Sequence, residues 1–119
     1  MVTLSYYGAE KVVDHYNVMG PVKAALEASV RYLAHELGGK RIRVNAISAG
    51  AVETRAASGI DHFDELINES VRAAPLPRKV ESSEVGRTAL ALVSDHMSAV
   101  TGETLYVDAG FHIEGMVFH

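Results

Sequence analysis

The sequence feature that most constrains the fold is a long helical segment between two short β-prone runs. Residues 17–37 contain good helix formers, with apolar side chains every three or four positions. The apolar stripe consists of Val22, Leu26, Val30, Leu33 and Leu37. The β-prone runs are residues 2–5 before the helix and 41–47 after it. Because a crossover of this length usually joins parallel strands, we predict a β-α-β unit.

The ends of this helix carry their own signals. Asn17 is the expected N-cap, since its side chain can accept a bond from an early backbone N–H. Pro21 lies in the first turn, where a missing N–H costs little. The pair Gly38-Gly39 is expected to end the helix.

The rest of the chain predicts two further helices and one strand. The pattern indicates an amphipathic helix over residues 60–73, a second from Ser82 or Ser83 through Val93, and a strand over 103–107. The order β-α-β-α-α-β predicts an α/β fold with about three parallel strands and flanking helices. Ligands of such sheets bind at the carboxyl ends of strands, which here lead into loops 6–16, 48–59 and 108–119.

Charge and composition exclude several classes of function. The net charge is −4, from 11 basic and 15 acidic residues, which disfavours binding to a phosphate backbone. There are no cysteines, and the six histidines show no metal-binding spacing, so no metal site is predicted. No apolar run approaches the ~20 residues of a membrane span. We therefore expect a soluble cytoplasmic protein without nucleic-acid or membrane partners.

Tyr16 and Lys23 are a candidate pair for chemistry. They are seven positions apart, which is about two helical turns, so both could lie on one helix face. A nearby ammonium lowers the pKa of a phenol, and a lysine can donate to ribose hydroxyls. On spacing alone, however, a loop tyrosine and a solvated lysine are the more common interpretation.

A second pair has the spacing Tyr-x-x-x-Lys that ordinary short-chain dehydrogenases use. Tyr7 and Lys11 would share a helix face one turn apart. Gly8 weakens a helix at that point, and the strong helical pattern begins only after Tyr16. We therefore interpret the match at Tyr7 as accidental.

A wider set of segments resembles the bacterial enoyl-acyl-carrier-protein reductases, a branch of the short-chain dehydrogenase/reductase superfamily. The most specific is Tyr-Asn-x-Met-Gly-x-x-Lys with a second tyrosine ten residues upstream. The similar segments are Val12–Gly20, Lys23–Leu33, Ile42–Gly50, Ala56–Ile60 and Val107–Phe111. The resemblance covers nearly the whole chain in order, and it implies the C-terminal half of a Rossmann-like doubly wound parallel sheet.

The resemblance also implies roles for individual residues. Tyr16 would donate to the enolate oxygen formed during reduction of an enoyl thioester by NADH, Lys23 would hold the nicotinamide ribose of NAD, and Tyr6 would be the second active-site tyrosine. The segment expected to close on the cofactor consists of Val52, Glu53, Thr54, Arg55 and Ala56, with Thr54 offering a hydroxyl to phosphate. The residues expected to line the acyl pocket are Met19, Ile60, Phe63 and Leu66.

The glycine-rich turn that binds dinucleotide phosphates has no match in these 119 residues. We therefore expect residues 1–119 to be the C-terminal part of one domain, with the N-terminal nucleotide-binding half absent and the isolated chain inactive. The family further implies an enoyl thioester on acyl carrier protein as partner and a homo-tetramer. Two alternatives stay open: a remnant that acts only in oligomerisation, and a generic short-chain dehydrogenase for a hydroxy or keto compound.

Overall fold

The computed structural model describes residues 1–52 and 62–118, whose strands form one parallel sheet in the order β1-β2-β3. The strands are β1 (Val2–Ser5), β2 (Asn45–Ala49) and β3 (Thr104–Val107). The α-helices are α1 (Met19–Leu37), α2 (Phe63–Ala73) and α3 (Ser82–Val93). The order β-α-β-α-α-β and the three parallel strands confirm the predicted fold class.

Helices cover both faces of the central strand. Ala46 and Ile47 are adjacent in β2 and point to opposite faces, yet neither exposes any surface. Ala46 packs in one cluster with Val30 and Ala34 of α1. The other helix that contacts β2 is α3, which therefore covers the Ile47 face. This two-sided arrangement makes the sheet doubly wound and buries residues 45–48 of β2.

The start of α1 differs from the prediction. Asn17 is not the N-cap: its φ of 56° is left-handed, a conformation that asparagine adopts more readily than most residues. Val18 occupies the N-cap position without a side-chain bond, and the helix begins at Met19. The last helical residue is Leu37, as predicted, and a short 3-10 turn over Gly38–Lys40 follows it.

The buried face of α1 also differs from the predicted stripe. Glu27, Val30 and Ala34 are buried, whereas Val22 and Leu33 are 49% and 38% exposed. At 100° per residue, the buried face is rotated by about 70° from the apolar stripe. Contact with the sheet, rather than the apolar pattern of the helix, therefore sets which side of α1 faces inward.

Strand β2 begins four residues later than predicted, at Asn45. Arg41 has a left-handed φ of 62°, which breaks an extended run. The guanidinium of Arg43 donates to the carbonyls of Val100 and Ser94, at 3.1 and 3.3 Å. These contacts tie Arg43, in the connection before β2, to the segment between α3 and β3.

The other boundaries need smaller corrections. Ser48 and Ala49, expected in a loop, belong to β2; Ser48 pairs with both neighbouring strands and Ala49 with β3. Helix α2 starts at Phe63, α3 spans the predicted residues, and β3 starts one residue late at Thr104. Within the described ranges, no helix combines the length and apolar character that crossing a bilayer requires.

Candidate active site at the carboxyl ends of the strands

The three strands end at the same edge of the sheet, and the residues that follow them meet at a cavity. Tyr6 follows β1, Gly50 follows β2 and Asp108 follows β3, and all three line this cavity. Ile67 of α2 and Phe111, which lies in the C-terminal segment after β3, complete its wall with a few neighbours. This is the edge where open parallel sheets bind ligands, and the loops predicted from the sequence supply part of its lining.

Tyr6 and Tyr16 are in direct contact beside this cavity. Their ring centroids are 5.1 Å apart with an interplanar angle of 63°, an edge-to-face arrangement. Tyr16 is only 7% exposed. A Cβ added at Gly8 would lie 2.5 Å from the Cδ2 atom of Tyr16, so the glycine leaves the space in which the ring packs. The fold thus brings together two tyrosines that are ten residues apart in sequence.

Burial governs the acidity of both phenols. It raises the pKa of Tyr6 to about 12, with a further contribution from the neighbouring Tyr16. Burial also raises the pKa of Tyr16. The expectation that Lys23 would lower the pKa of Tyr16 is therefore wrong, because desolvation disfavours the phenolate. At neutral pH both phenols keep their protons and can act as hydrogen-bond donors.

Tyr16 and Lys23 do not share a helix face, contrary to the prediction from their spacing. Tyr16 lies in the turn before α1, and its carbonyl accepts a hydrogen bond from the Met19 N–H at 3.2 Å. Lys23 lies in α1, and its ammonium donates to the carbonyl of Leu4 at 3.1 Å. The lysine therefore reaches the end of β1, two residues before Tyr6.

The alternative pair, Tyr7 and Lys11, lies in a short turn, in which the Lys11 N–H donates to the Tyr7 carbonyl at 3.1 Å. Tyr7 lies in a 3-10 turn, Tyr7–Ala9, and its ring packs edge-on against Phe111 with centroids 5.4 Å apart. Lys11 is exposed two residues beyond this turn. Tyr7 therefore packs against the C-terminal segment, while Tyr6 faces Tyr16.

The predicted cofactor-binding segment is only partly described. Val52 lines a second cavity, next to the first, with Ile67, Lys79 and Val80 among its neighbours. The other residues of the predicted segment lie outside the described ranges. They are Glu53, Thr54, Arg55 and Ala56.

None of the described residues predicted for an acyl pocket lines the cavity beside Tyr6. Met19 is 40% exposed at the start of α1, and Phe63 and Leu66 are half-buried on α2. Ile60 lies outside the described ranges. The helix α2 instead contributes its next turn, residues 67, 70 and 71, to the cavity wall.

Three buried polar residues at this edge were not singled out by the sequence pattern. Ser5 and Glu27 are 5% and 7% exposed, and the Ser5 hydroxyl donates to the Glu27 carboxyl group. Asp108 accepts bonds from the backbone N–H groups of Gly110 and His112, both at 3.0 Å. The sequence signal for Glu27 is its position one helical turn after Lys23, on the same face of the helix. An acidic residue that is buried there needs a partner.

The C-terminal segment is tied to the loop after Tyr7. The His112 ring stacks on Tyr106 with centroids 3.7 Å apart, and its Nδ1 atom lies 3.0 Å from the Asp108 carboxyl group. The Tyr106 hydroxyl donates to Glu10. Within residues 1–52 and 62–118, no three acidic or histidine side chains are grouped closely enough to hold a metal ion.

Comparison with known proteins assigns this chain to one family. The family model described as enoyl-(acyl carrier protein) reductase matches residues 1–112. The NADH-dependent enoyl-[acyl-carrier-protein] reductase 1 of Rhizobium meliloti is 60% identical over 116 residues, which are 98% of this chain and 43% of that protein. The corresponding reductase of Nostoc is 54% identical and is covered to 45% of its length.

Solved structures give the same result. The enoyl-[acyl-carrier-protein] reductase of Aquifex aeolicus superposes with a TM-score of 0.94 at 52% identity, over 98% of this chain and 45% of that one. The Bacillus cereus enzyme, solved with NADP+ and indole naphthyridinone, superposes with a TM-score of 0.93 at 52% identity, over 97% of this chain and 45% of that one. The chain thus spans a little under half the length of the relatives that it matches. It belongs to the enoyl-(acyl carrier protein) reductase family.

Proposed function

We propose that residues 1–119 form the C-terminal part of a single short-chain dehydrogenase/reductase domain that reduces the trans-2 double bond of an enoyl thioester on acyl carrier protein. NADH is the proposed reductant. The observation that carries the proposal is the contact between Tyr6 and Tyr16 at the carboxyl end of β1, with Lys23 reaching the same strand end. The relatives named as NADH-dependent enoyl reductases support the reaction type.

The residues present suit the nicotinamide-ribose end of the cofactor. An ammonium and two protonated phenols are donors for ribose hydroxyls and for an oxygen that gains negative charge. NADH, when bound, supplies a hydride to the β-carbon of the enoyl thioester. The ammonium of Lys23 is proposed to exchange the Leu4 carbonyl for the ribose hydroxyls.

The two tyrosines are proposed to act on the thioester oxygen. Hydride addition at the β-carbon turns the thioester into an enolate, whose oxygen Tyr16 stabilises by donating a hydrogen bond or a proton. A proton from water then adds to the α-carbon as the enolate C=C bond is lost and the thioester C=O bond re-forms, which completes the saturated thioester. Because burial raises the pKa values of Tyr6 and Tyr16, both phenols keep their protons at neutral pH and each can donate a hydrogen bond.

The remaining predicted contacts belong to the same proposal. The segment proposed to close on nicotinamide and pyrophosphate is Val52, Glu53, Thr54, Arg55 and Ala56. The acyl chain is proposed to contact Met19, Ile60, Phe63 and Leu66. Pyrophosphate binding would come from sequence beyond these 119 residues, in a cytoplasmic homo-oligomer of four chains.

The test uses a hybrid protein in which this chain replaces the matching segment of the Rhizobium meliloti reductase. We expect the hybrid to oxidise NADH in the presence of an enoyl thioester. Tyr16→Phe and Lys23→Ala should each lower kcat/KM by about 10²–10⁴-fold, the usual loss for a positioned donor. Tyr32→Phe is the matched control, since Tyr32 is 72% exposed on α1.

Two outcomes would contradict the proposal. A hybrid that folds and binds NADH but does not reduce the thioester would favour a different substrate, such as a hydroxy or keto compound. Greater damage from Tyr7→Phe than from Tyr16→Phe would assign the chemistry to the other pair. The 119-residue chain alone should show neither saturable NADH binding nor turnover, because it lacks a phosphate-binding turn.

A further inference from the structure

The end of β1 is held from α1 at two consecutive residues. The Lys23 ammonium donates to the Leu4 carbonyl at 3.1 Å, and the Ser5 hydroxyl donates to the carboxyl group of Glu27. Lys23 and Glu27 are one helical turn apart on α1, so both side chains project toward the same strand end. Tyr6 is the next residue of the chain, and its orientation depends on how this strand end is fixed.

Glu27 occupies a position that packing alone would give to an apolar residue. It is 7% exposed and continues the buried stripe of Val30 and Ala34 on α1. A buried carboxyl group costs free energy unless it is hydrogen-bonded, and here its described partner is the hydroxyl of Ser5. A costly group of this kind, placed beside a proposed active site, indicates a task other than filling the core.

The contact determines where Tyr6 points. Tyr6 has extended backbone angles, φ −149° and ψ 155°, and immediately precedes the 3-10 turn Tyr7–Ala9. The backbone therefore changes direction directly after Tyr6. With Ser5 fixed on one side and the turn on the other, the Tyr6 ring is held against Tyr16 at a centroid distance of 5.1 Å.

We propose that Glu27 is a positioning residue for Tyr6, acting through the hydroxyl of Ser5. The inference rests on the proposed function in one respect, which is that Tyr6 takes part in the reduction. Glu27 itself is separated from the reacting atoms by Ser5 and Tyr6. It acts on the strand end and not on the substrate.

The first test follows the ring contact and does not depend on activity. In the hybrid protein labelled with fluorotyrosine, the ¹⁹F resonance of Tyr6 is assigned by its loss in Tyr6→Phe. We expect Glu27→Leu and Ser5→Ala to shift this resonance as the edge-to-face contact with Tyr16 loosens. Glu27→Gln should preserve it, because the amide oxygen still accepts from Ser5. Glu36→Gln, on the exposed side of α1, is the control.

The second test is a double-mutant cycle on the turnover of the enoyl thioester. Glu27→Leu should lower kcat by about 10- to 100-fold, as expected for a misplaced group, and leave KM for NADH within about twofold. In a Tyr6→Phe background the same change should have little further effect, since Tyr6 is then already lost. Glu27→Gln should stay within about fivefold of the parent, as a neutral acceptor replaces a charged one.

The outcomes separate the two proposals. An unshifted Tyr6 resonance in both Glu27→Leu and Ser5→Ala, or losses that multiply in the Tyr6→Phe background, would overturn the positioning role. If Glu27→Leu does not fold, Ser5→Ala and Glu27→Gln carry both measurements. An inactive parent hybrid in which the Tyr6 resonance still depends on Glu27 would contradict the proposed function and leave the positioning of Tyr6 supported.

Discussion

The two sides of the cavity are held in different ways. On the side of β1 and α1, Tyr16 is 7% exposed and Ser5 is bonded to the buried Glu27. On the side of α2, only Ile67 and Ala73 of the helix are buried. The groups proposed for chemistry thus lie on a packed framework, whereas the opposite wall has few buried anchors, a feature of elements that open locally.

The start of α2 illustrates the difference. His62 precedes the helix with a left-handed φ of 60° and no side-chain cap bond, a conformation that carries a cost of about 1–3 kcal/mol. Its ring stacks on His15 at a centroid distance of 3.9 Å, which links α2 to the residue before Tyr16. Toward the end of α2, the ion pair between Arg72 and Glu69 is exposed, and such pairs contribute only about 0–1 kcal/mol to stability. Segments beside a binding site that have few buried contacts commonly become ordered when a ligand binds.

The largest expected effect is on the side of β1 and α1, which is the more tightly packed side of the cavity. Gly8→Ala would place a Cβ 2.5 Å from the Tyr16 ring and force that ring to move. We expect a loss of about 10²-fold in kcat of the hybrid and of about 1–3 kcal/mol in the free energy of unfolding. Gly86→Ala in α3 is the matched control, since its Cβ would meet nothing within 4 Å. Equal activity of the two variants would show that the Tyr16 ring is not held by Gly8.

The second prediction concerns alkaline stability on the same side. Because the folded pKa of Tyr6 is raised from 10.0 to about 12, its contribution is fully present below pH ~10 and is lost as pH rises through ~12. The difference is on the order of 2 kcal/mol. Denaturant unfolding of the hybrid at a series of alkaline pH values should show a shallower decline for Tyr6→Phe than for Tyr32→Phe. Parallel declines would contradict the burial of Tyr6.

Hydrogen exchange compares the two sides directly. We expect amides of α2, over Phe63–Ala73, to exchange at least about tenfold faster than those near Val30 in α1, which corresponds to about 1.4 kcal/mol of local stability. Adding NADH and a substrate analogue to the hybrid should slow exchange in α2 and change α1 little. Equal protection of α2 with and without ligand would contradict its role as a wall that orders on binding.

The smallest expected effect lies at the start of α3. Glu84 forms a capping box with Glu81 and accepts two bonds from Arg78, which together lower its pKa from 4.5 to about 2. Since the folded pKa is lowered, this stabilisation is present above pH ~4.5 and is lost as pH falls through ~2. Carboxyl chemical shifts should report a midpoint near 2, and Arg78→Gln should raise it. An unchanged midpoint would assign the shift to the capping box alone.

The local elements were largely predictable from the sequence. The periodicity of residues 17–37, the β-prone runs on either side and the signals at Ser82 predicted the element order and the parallel sheet. Boundaries were less predictable where side chains from distant segments intervene. Arg43, predicted in the strand, bonds to Val100 and Ser94, and no local pattern encodes a partner more than 50 residues away.

The candidate site residues were proposed from the sequence, whereas their arrangement in space was not predictable from it. The resemblance to the enoyl reductases identified Tyr6, Tyr16 and Lys23 as candidates, and the structure places the two tyrosines in contact. The helical-face argument for Tyr16 and Lys23 failed because α1 begins only at Met19. The pKa of Tyr16 is raised and not lowered because the phenol is buried, and a sequence does not display burial.

The sequence by itself determined the succession of strands and helices, since these follow from periodicities of two and 3.6 residues and from local turn chemistry. Only the tertiary structure decided which face of α1 is buried, because the sheet selects Glu27 and Ala34 where the apolar stripe favoured Val22 and Leu33. It also decided which tyrosine faces which partner and how strongly each holds its proton. Those properties depend on desolvation by residues far away in the chain, and such residues become neighbours only when the sheet has assembled.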